Sequence, residues 1–169
     1  MNRLPELPPK QPRDPDPYAD VLLGAVPPPV SAAVLQIAMS LPAVEASVPR
    51  ARSTVSSVAG TWGLDVEAIA LTVTALVSNA VRAVSAVRAV GKQPIKVTLA
   101  VRLDGAAQLD VWNPAPAPDD HAAAQPPIMA ETGRGLLLVA AYALKFALVK
   151  VTVGTLVRAQ FPPLSEEAA

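Results

Sequence analysis

Apolar and polar positions change rhythm several times along this chain, and each change marks an element. Ile95, Val97, Leu99, Val101 and Leu103 alternate strictly with Lys96, Thr98, Ala100, Arg102 and Asp104. A period of two is the signature of a strand with one buried face. Asp104-Gly105 supplies a tight turn, and Ala107 to Asn113 returns as the second strand of a hairpin. Upstream the rhythm is three-four. Val66, Ile69, Ala70, Val73, Leu76, Val77, Ala80, Val81, Val84 and Val87 recur as one buried face of a long helix. Asp65 is placed to cap it and Gly91 to end it. Valines are mediocre helix formers, so tertiary contacts must hold this helix.

The remaining elements follow from shorter patterns. The apolar stretch 34–41 reads as a buried strand that stops before Pro42. Ser47 reads as a helix cap with Pro49 in the first turn, and that helix runs to about Thr61, before Trp62-Gly63. Residues 114–132 form a proline- and alanine-rich loop. Gly133 opens a further helix to about Leu144, and residues 146–153 and 155–161 form a last hairpin joined at Gly154. This order predicts an α+β fold: a two-layer sandwich with a mixed, mostly antiparallel sheet covered on one face by about three helices.

Composition changes the picture at the ends. Residues 1–30 contain Pro5, Pro8, Pro9, Pro12, Pro15, Pro17 and the Pro27-Pro28-Pro29 run, which deny the backbone both donors and helical angles. They are predicted to be a flexible tail, in which residues 18–26 are apolar enough to form a short docked element. Residues 31–162 form the folded domain, and residues 163–169 a short acidic tail. The first twenty residues lack the apolar core of a signal peptide. Residues 135–154 are very apolar but contain Lys145 and Lys150. Each lysine would cost about 2.5–3.5 kcal/mol at a bilayer centre. A buried helix followed by a strand is expected there, with no membrane partner and a cytoplasmic location.

The formal charge balances at zero, which argues against direct nucleic-acid binding. There is no cysteine and one histidine, His121. Disulfides, thiolate metal sites and a His-based metal cluster are thereby excluded, and no Ser-His or Cys-His nucleophilic pair is expected inside the pocket. His121 reads as a solvated loop residue. Arg50, Arg52, Arg82, Arg88, Lys92 and Lys96 read as scattered solvation rather than a site for an acidic partner.

Four stretches carry candidate chemistry. On the long helix Thr72, Ala75, Asn79, Ala83 and Ala86 lie along one side, offset from the apolar stripe. Small residues and one amide there suit close approach by a ligand, or simply a helix-packing asparagine. Val111-Trp112-Asn113-Pro114-Ala115-Pro116-Ala117-Pro118 takes a strand into a stiff loop. Gly133-Arg134-Gly135-Leu136 opens a helix, where free backbone N–H groups and the helix dipole favour an anion. Gly154-Thr155 to Phe161-Pro162 reads by itself as a turn and an edge strand.

In this order and spacing the four together resemble the GHKL superfamily, the ATP-binding fold of gyrase, mismatch-repair proteins and sensor histidine kinases. The nearest resemblance is to its bacterial anti-sigma factor/serine-kinase branch, over about residues 33–161. Leu41-Pro42-Ala43-Val44 with Val48-Pro49-Arg50-Ala51-Arg52 is similar to the family opening. Leu76-Val77-Ser78-Asn79-Ala80-Val81-Arg82 is similar to its asparagine box, and Gly133-Arg134-Gly135-Leu136-Leu137-Leu138-Val139 to its phosphate-lid glycine motif. The resemblance implies ATP with magnesium as cofactor. Asn79 would coordinate the magnesium, and Gly133, Arg134 and Gly135 would lie at the phosphates. Thr155 would stand near the adenine, with Asn113 in place of the family's adenine-binding aspartate.

The departures separate binding from catalysis. One turn before Asn79, where the family carries its general-base glutamate, this chain has Ala75, which accepts no proton. Glu67 is two turns away and cannot substitute. Asn113 still offers an amide oxygen to adenine but forgoes the charge-assisted bond, at a cost of about 1–2 kcal/mol, or about tenfold in affinity. Ala115 and Ala117 stand where glycines are expected. The expectation is a regulatory protein that binds a sigma factor or its antagonist, with weak or lost nucleotide use and inefficient phosphoryl transfer. One alternative is an active serine kinase that recruits Asp119, Asp120 or Glu131. Another is a structural homodimer module whose adenine site is filled by Trp112 or Leu156.

Overall fold

The structure, a computed structural model, describes residues 33–87, 93–116 and 139–163 of the 169. Five strands and two long helices are formed: β1 (Ala33–Leu41), α1 (Ser47–Thr61), α2 (Val66–Ala86), β2 (Ile95–Arg102), β3 (Ala107–Asn113), β4 (Lys145–Lys150) and β5 (Thr155–Phe161). Residues 139–142 add one helical turn, at the end of the helix expected from Gly133. The start of that helix, the 114–132 loop beyond Pro116, and both tails lie outside the described residues.

The strands lie in the order β1-β2-β3-β5-β4, and every neighbouring pair is antiparallel. The expected α+β architecture is present, with no parallel pair among the described strands. The reason is in the connections. Two hairpins are antiparallel by construction, and the passage from β1 to β2 uses two helices. An even number of passes returns the chain to the end it left, so Leu41 lies opposite Ile95. β5 is not an edge strand as its sequence suggested. It is inserted between β3 and β4 and hydrogen-bonded on both sides.

The core lies between the helices and one face of the sheet. Ile69, Val73, Leu76 and Val77 of α2 are buried with Ile95, Val97, Leu99, Leu109 and Val111 of the sheet. α1 contributes Ala51, Val55 and Ala59, four residues apart and fully buried, so small side chains set the approach of the two helices. Val139, in the short helical turn, is also fully buried in this core.

The helix boundaries show local chemistry at work. Asp65 caps α2 as expected, its Oδ1 accepting from the Ala68 N–H at 3.0 Å. Ser47 does not cap α1. Ala46 holds that position with no side-chain bond, and the buried Ser47 hydroxyl donates to the Pro42 carbonyl at 2.6 Å. In the tight turn leaving β1 that carbonyl also accepts from the Val44 N–H at 2.9 Å, so Ser47 supplies its second donor. α2 ends at Ala86 rather than Gly91, because Val87 is extended (φ −115°, ψ 101°), a geometry that suits a β-branched residue. Val66, counted on the buried face, is 38% exposed at the helix start.

α2 has 21 residues and is apolar enough to cross a bilayer by length and composition. Its apolar stripe is instead consumed by the sheet and α1. The other suspect segment, 135–154, contains strand β4 and the helical turn among its described residues, so no spanning helix runs through it.

Candidate functional site

The last residue of β3 and the first of β5 are register partners, which places Asn113 beside Thr155. Both are buried, and both share the face of Val111 and Val157, toward the helices. Their side chains meet at Ala115. The Asn113 Oδ1 accepts from the Ala115 N–H at 2.9 Å, an Asx turn, and the Thr155 hydroxyl donates to the Ala115 carbonyl at 2.8 Å. Ala115 is 1% exposed and flanked by Pro114 and Pro116. Both polar groups of its backbone are therefore satisfied by the two residues expected to face adenine.

Chemically this leaves a reduced surface. The Asn113 carbonyl keeps a second lone pair for an amine donor. The Thr155 oxygen has committed its proton and can only accept. The turn before β5 is fixed from the same place. Gly154 has φ +85°, and a Cβ there would overlap the Asn113 carbonyl oxygen and crowd the Trp112 indole. Only glycine lets this turn close over the end of β3.

Asn79 lies on α2, half-buried, on the helix that packs on β3. Its Oδ1 accepts from the Arg82 guanidinium at 2.7 Å, and Arg82 has further interactions. Among the described residues no hydrogen bond joins Asn79 to Asn113 or Thr155. The side of α2 thought open to a ligand is closed in its first half. Thr72 is fully buried with its hydroxyl donating to the Ala68 carbonyl at 2.8 Å, and Ala75, 8% exposed, belongs to the core. Gly133, Arg134 and Gly135 lie outside the described residues, as do Asp119, Asp120, His121 and Glu131.

The donor set decides what this surface can hold. No group of three or more His, Asp or Glu side chains gathers among the described residues. Asn79 would be a single protein ligand to magnesium, so phosphate oxygens and water would have to complete the shell, as magnesium tolerates. The Arg82 cation beside it favours an anion and disfavours a bare metal. Asn113 and Thr155, adjacent on one face, are the pair that the resemblance would set at an adenine edge.

Trp112 and Leu156 do not fill that site. They are register partners on the opposite face of the sheet, because side chains alternate along β3 and β5. There the Lys96 ammonium lies 5.2 Å over the Trp112 ring, and the indole N–H donates to the Val153 carbonyl at 3.0 Å. The same face holds an unexpected polar group. Arg158 forms a two-pronged pair with Asp110 at 2.9 and 2.8 Å, Gln108 donates to Asp110, and Arg158 makes a further interaction besides. The hydrogen bond to Asp110 raises the Arg158 pKa, against the opposing effect of burial. The alternation Gln108-x-Asp110-x-Trp112 puts these residues on one face, but nothing local says that β5 lies alongside.

An antiparallel five-stranded sheet backed by two helices, the longer of which packs on β3, is the frame of a domain of the histidine kinase-like ATPase class. The family profile described as the histidine kinase-like ATPase domain matches residues 41–161, and the chain belongs to that family. Among solved structures it is similar to the RsbU and RsbW domains of Rv1364c from Mycobacterium tuberculosis. The TM-score is 0.58 at 17% identity, over 76% of this chain and 32% of that one. This chain therefore spans about a third of that protein's length, and the likeness is one of fold. A search of curated proteins returned no match.

Proposed function

We propose that this chain is a regulatory module of the anti-sigma type that works by binding a protein partner, with weak nucleotide binding and without efficient phosphoryl transfer. The observation that carries the reading is the internal use of the site's polar groups. Asn113 and Thr155 are bonded to Ala115, and Ala75 lies in the core where the related kinases carry a carboxylate. A nucleotide would meet one amide lone pair and one acceptor oxygen. A nucleophile would meet no base at Ala75, and Glu67, the acidic residue in the first turn of α2, is two turns away. A fold kept intact around such a site is suited to presenting a surface, to a sigma factor or its antagonist as the resemblance implies.

Calorimetric titration with ATP and ADP, with and without magnesium, tests this. The expected result is binding no tighter than the high micromolar range, weakened further in Asn79→Ala. Asn113→Asp should tighten ATP about tenfold, by restoring a charged acceptor to adenine. Low-micromolar affinity in the parent protein, accompanied by steady transfer of the γ-phosphate to serine or water, would refute the reading.

A further inference from the structure

The hydrogen-bonding capacity left at the Asn113–Thr155 pair is mainly that of a donor beside an acceptor. Asn113 is 5% exposed, and its Oδ1 is held by the N–H of buried Ala115. Its amide nitrogen has no hydrogen-bond partner, yet the only enclosed and unbonded side-chain polar atom among the described residues is the Ser56 hydroxyl oxygen. The nitrogen is therefore the accessible end of an otherwise buried amide. It keeps two N–H donors, against one lone pair on the oxygen. Thr155 completes the pattern, because its proton goes to the Ala115 carbonyl and its oxygen can only accept.

The backbone fixes this polarity. Turning the Asn113 amide over would set its nitrogen against the Ala115 N–H and leave a buried backbone donor unpaired. An aspartate has one oxygen for the Ala115 N–H and a second for an amine on a ligand. An asparagine with its oxygen tied down turns that second position from acceptor to donor. The residue type at 113 thus sets the kind of base edge that fits, and not only the strength of one bond.

On the reading of Asn113 and Thr155 as the base subsite, with Asn113 at the purine 6-position, on which this rests, we propose that the pair selects a 6-oxopurine nucleotide over an adenine nucleotide. A 6-oxopurine carries a carbonyl oxygen at that position and an N–H at the neighbouring ring atom. The carbonyl accepts from the Asn113 amide, and the ring N–H donates to the Thr155 oxygen. Adenine reverses both groups. Its amine faces the Asn113 N–H donors, and its bare ring nitrogen faces an oxygen with no proton to give. Each mismatch takes water from a polar group without replacing the hydrogen bond. A site built to hydrogen-bond one partner discriminates against the analogue that cannot answer it.

Inosine triphosphate and ATP differ only at these two ring positions. Titration of this chain with each, in the presence of magnesium and followed by ligand-observed NMR, makes the comparison at weak affinity. The expected result is inosine triphosphate binding at least about tenfold tighter than ATP. Asn113→Asp, which keeps an acceptor for the Ala115 N–H, should reverse the order in favour of ATP. The comparison in the unaltered protein stands even if the buried carboxylate of that variant unfolds it. Equal affinities in the unaltered protein, or tighter ATP, would overturn the proposal. So would the absence of binding by either nucleotide up to millimolar concentration, a result that leaves the regulatory, partner-binding reading of the fold in place. Low-micromolar binding of inosine triphosphate with steady transfer of its γ-phosphate would instead remove that reading and leave the base preference intact.

Discussion

At the scale of single residues, the chain is most sensitive where backbone and side chain meet at the end of β3. Gly154 and Gly63 both have positive φ, +85° and +67°, but their surroundings differ. A Cβ at Gly63 meets nothing within 4 Å, whereas at Gly154 it strikes the Asn113 carbonyl and the Trp112 ring. Gly63→Ala should therefore cost only the left-handed conformation, about 1 kcal/mol. Gly154→Ala should cost that plus the displaced strand end, about 2–3 kcal/mol. Urea unfolding of the two variants measures both, and equal losses would mean that the turn before β5 relaxes freely. The same end of β3 holds the candidate site. The motifs that contain Asn113 and Thr155 were readable in the sequence. That Thr155 donates to the Ala115 carbonyl was not, since that bond depends on two strands about 40 residues apart in sequence being side by side, whereas the Asn113 bond to the Ala115 N–H is a local Asx turn.

At the scale of elements, α2 and the β3–β5 pair carry most of the argument. The α2 stripe was legible because a 3.6-residue period survives whatever the helix packs against. Its cap was legible because an Asp side chain reaches N–H groups within its own turn. Asp65→Ala should lower stability by about 1 kcal/mol, read as a shift in the urea midpoint. Ile69→Ala, at a fully buried position, should cost about 3 kcal/mol. The Arg158–Asp110 pair has side chains only 12% and 19% exposed. Arg158→Met alone should cost about 2 kcal/mol, because it strands a largely buried carboxylate. Arg158→Met with Asp110→Leu should recover part of that loss, and a double-mutant cycle with no coupling would contradict the geometry. The raised Arg158 pKa stabilises the fold at all pH below the usual arginine range and is lost only above it. Stability across neutral pH should accordingly show no step from this residue.

At the scale of the whole molecule, the governing feature is the place of β5. The last strand of the chain is interior to the sheet, between β3 and β4. The sheet thus cannot close until β5 has been made, and its assembly rests on pairings distant in sequence. A chain ending at Gly154 should show no cooperative urea transition and should expose its apolar helix to dye binding. A sharp transition in that truncated chain would mean that β1, β2, β3 and the helices form a self-sufficient core. The same topology sorts the two faces. One faces the helices and holds the Asn113–Thr155 pair, and the other carries Trp112, Asp110 and Arg158.

The order and type of elements, the α2 stripe and its Asp65 cap, the β2–β3 turn and the identity of the motif residues were all determined by sequence alone. Each depends on neighbours within a few positions, where hydrophobic period, capping and turn chemistry act. Tertiary structure decided the rest. It made β5 interior, and it diverted Ser47 from a cap to the Pro42 carbonyl. It turned Trp112 and Leu156 to the face opposite Asn113 and Thr155, and it matched Arg158 to Asp110. Those outcomes follow from which strands lie side by side, and a residue's own stretch of chain carries no record of the neighbour that supplies its hydrogen bond.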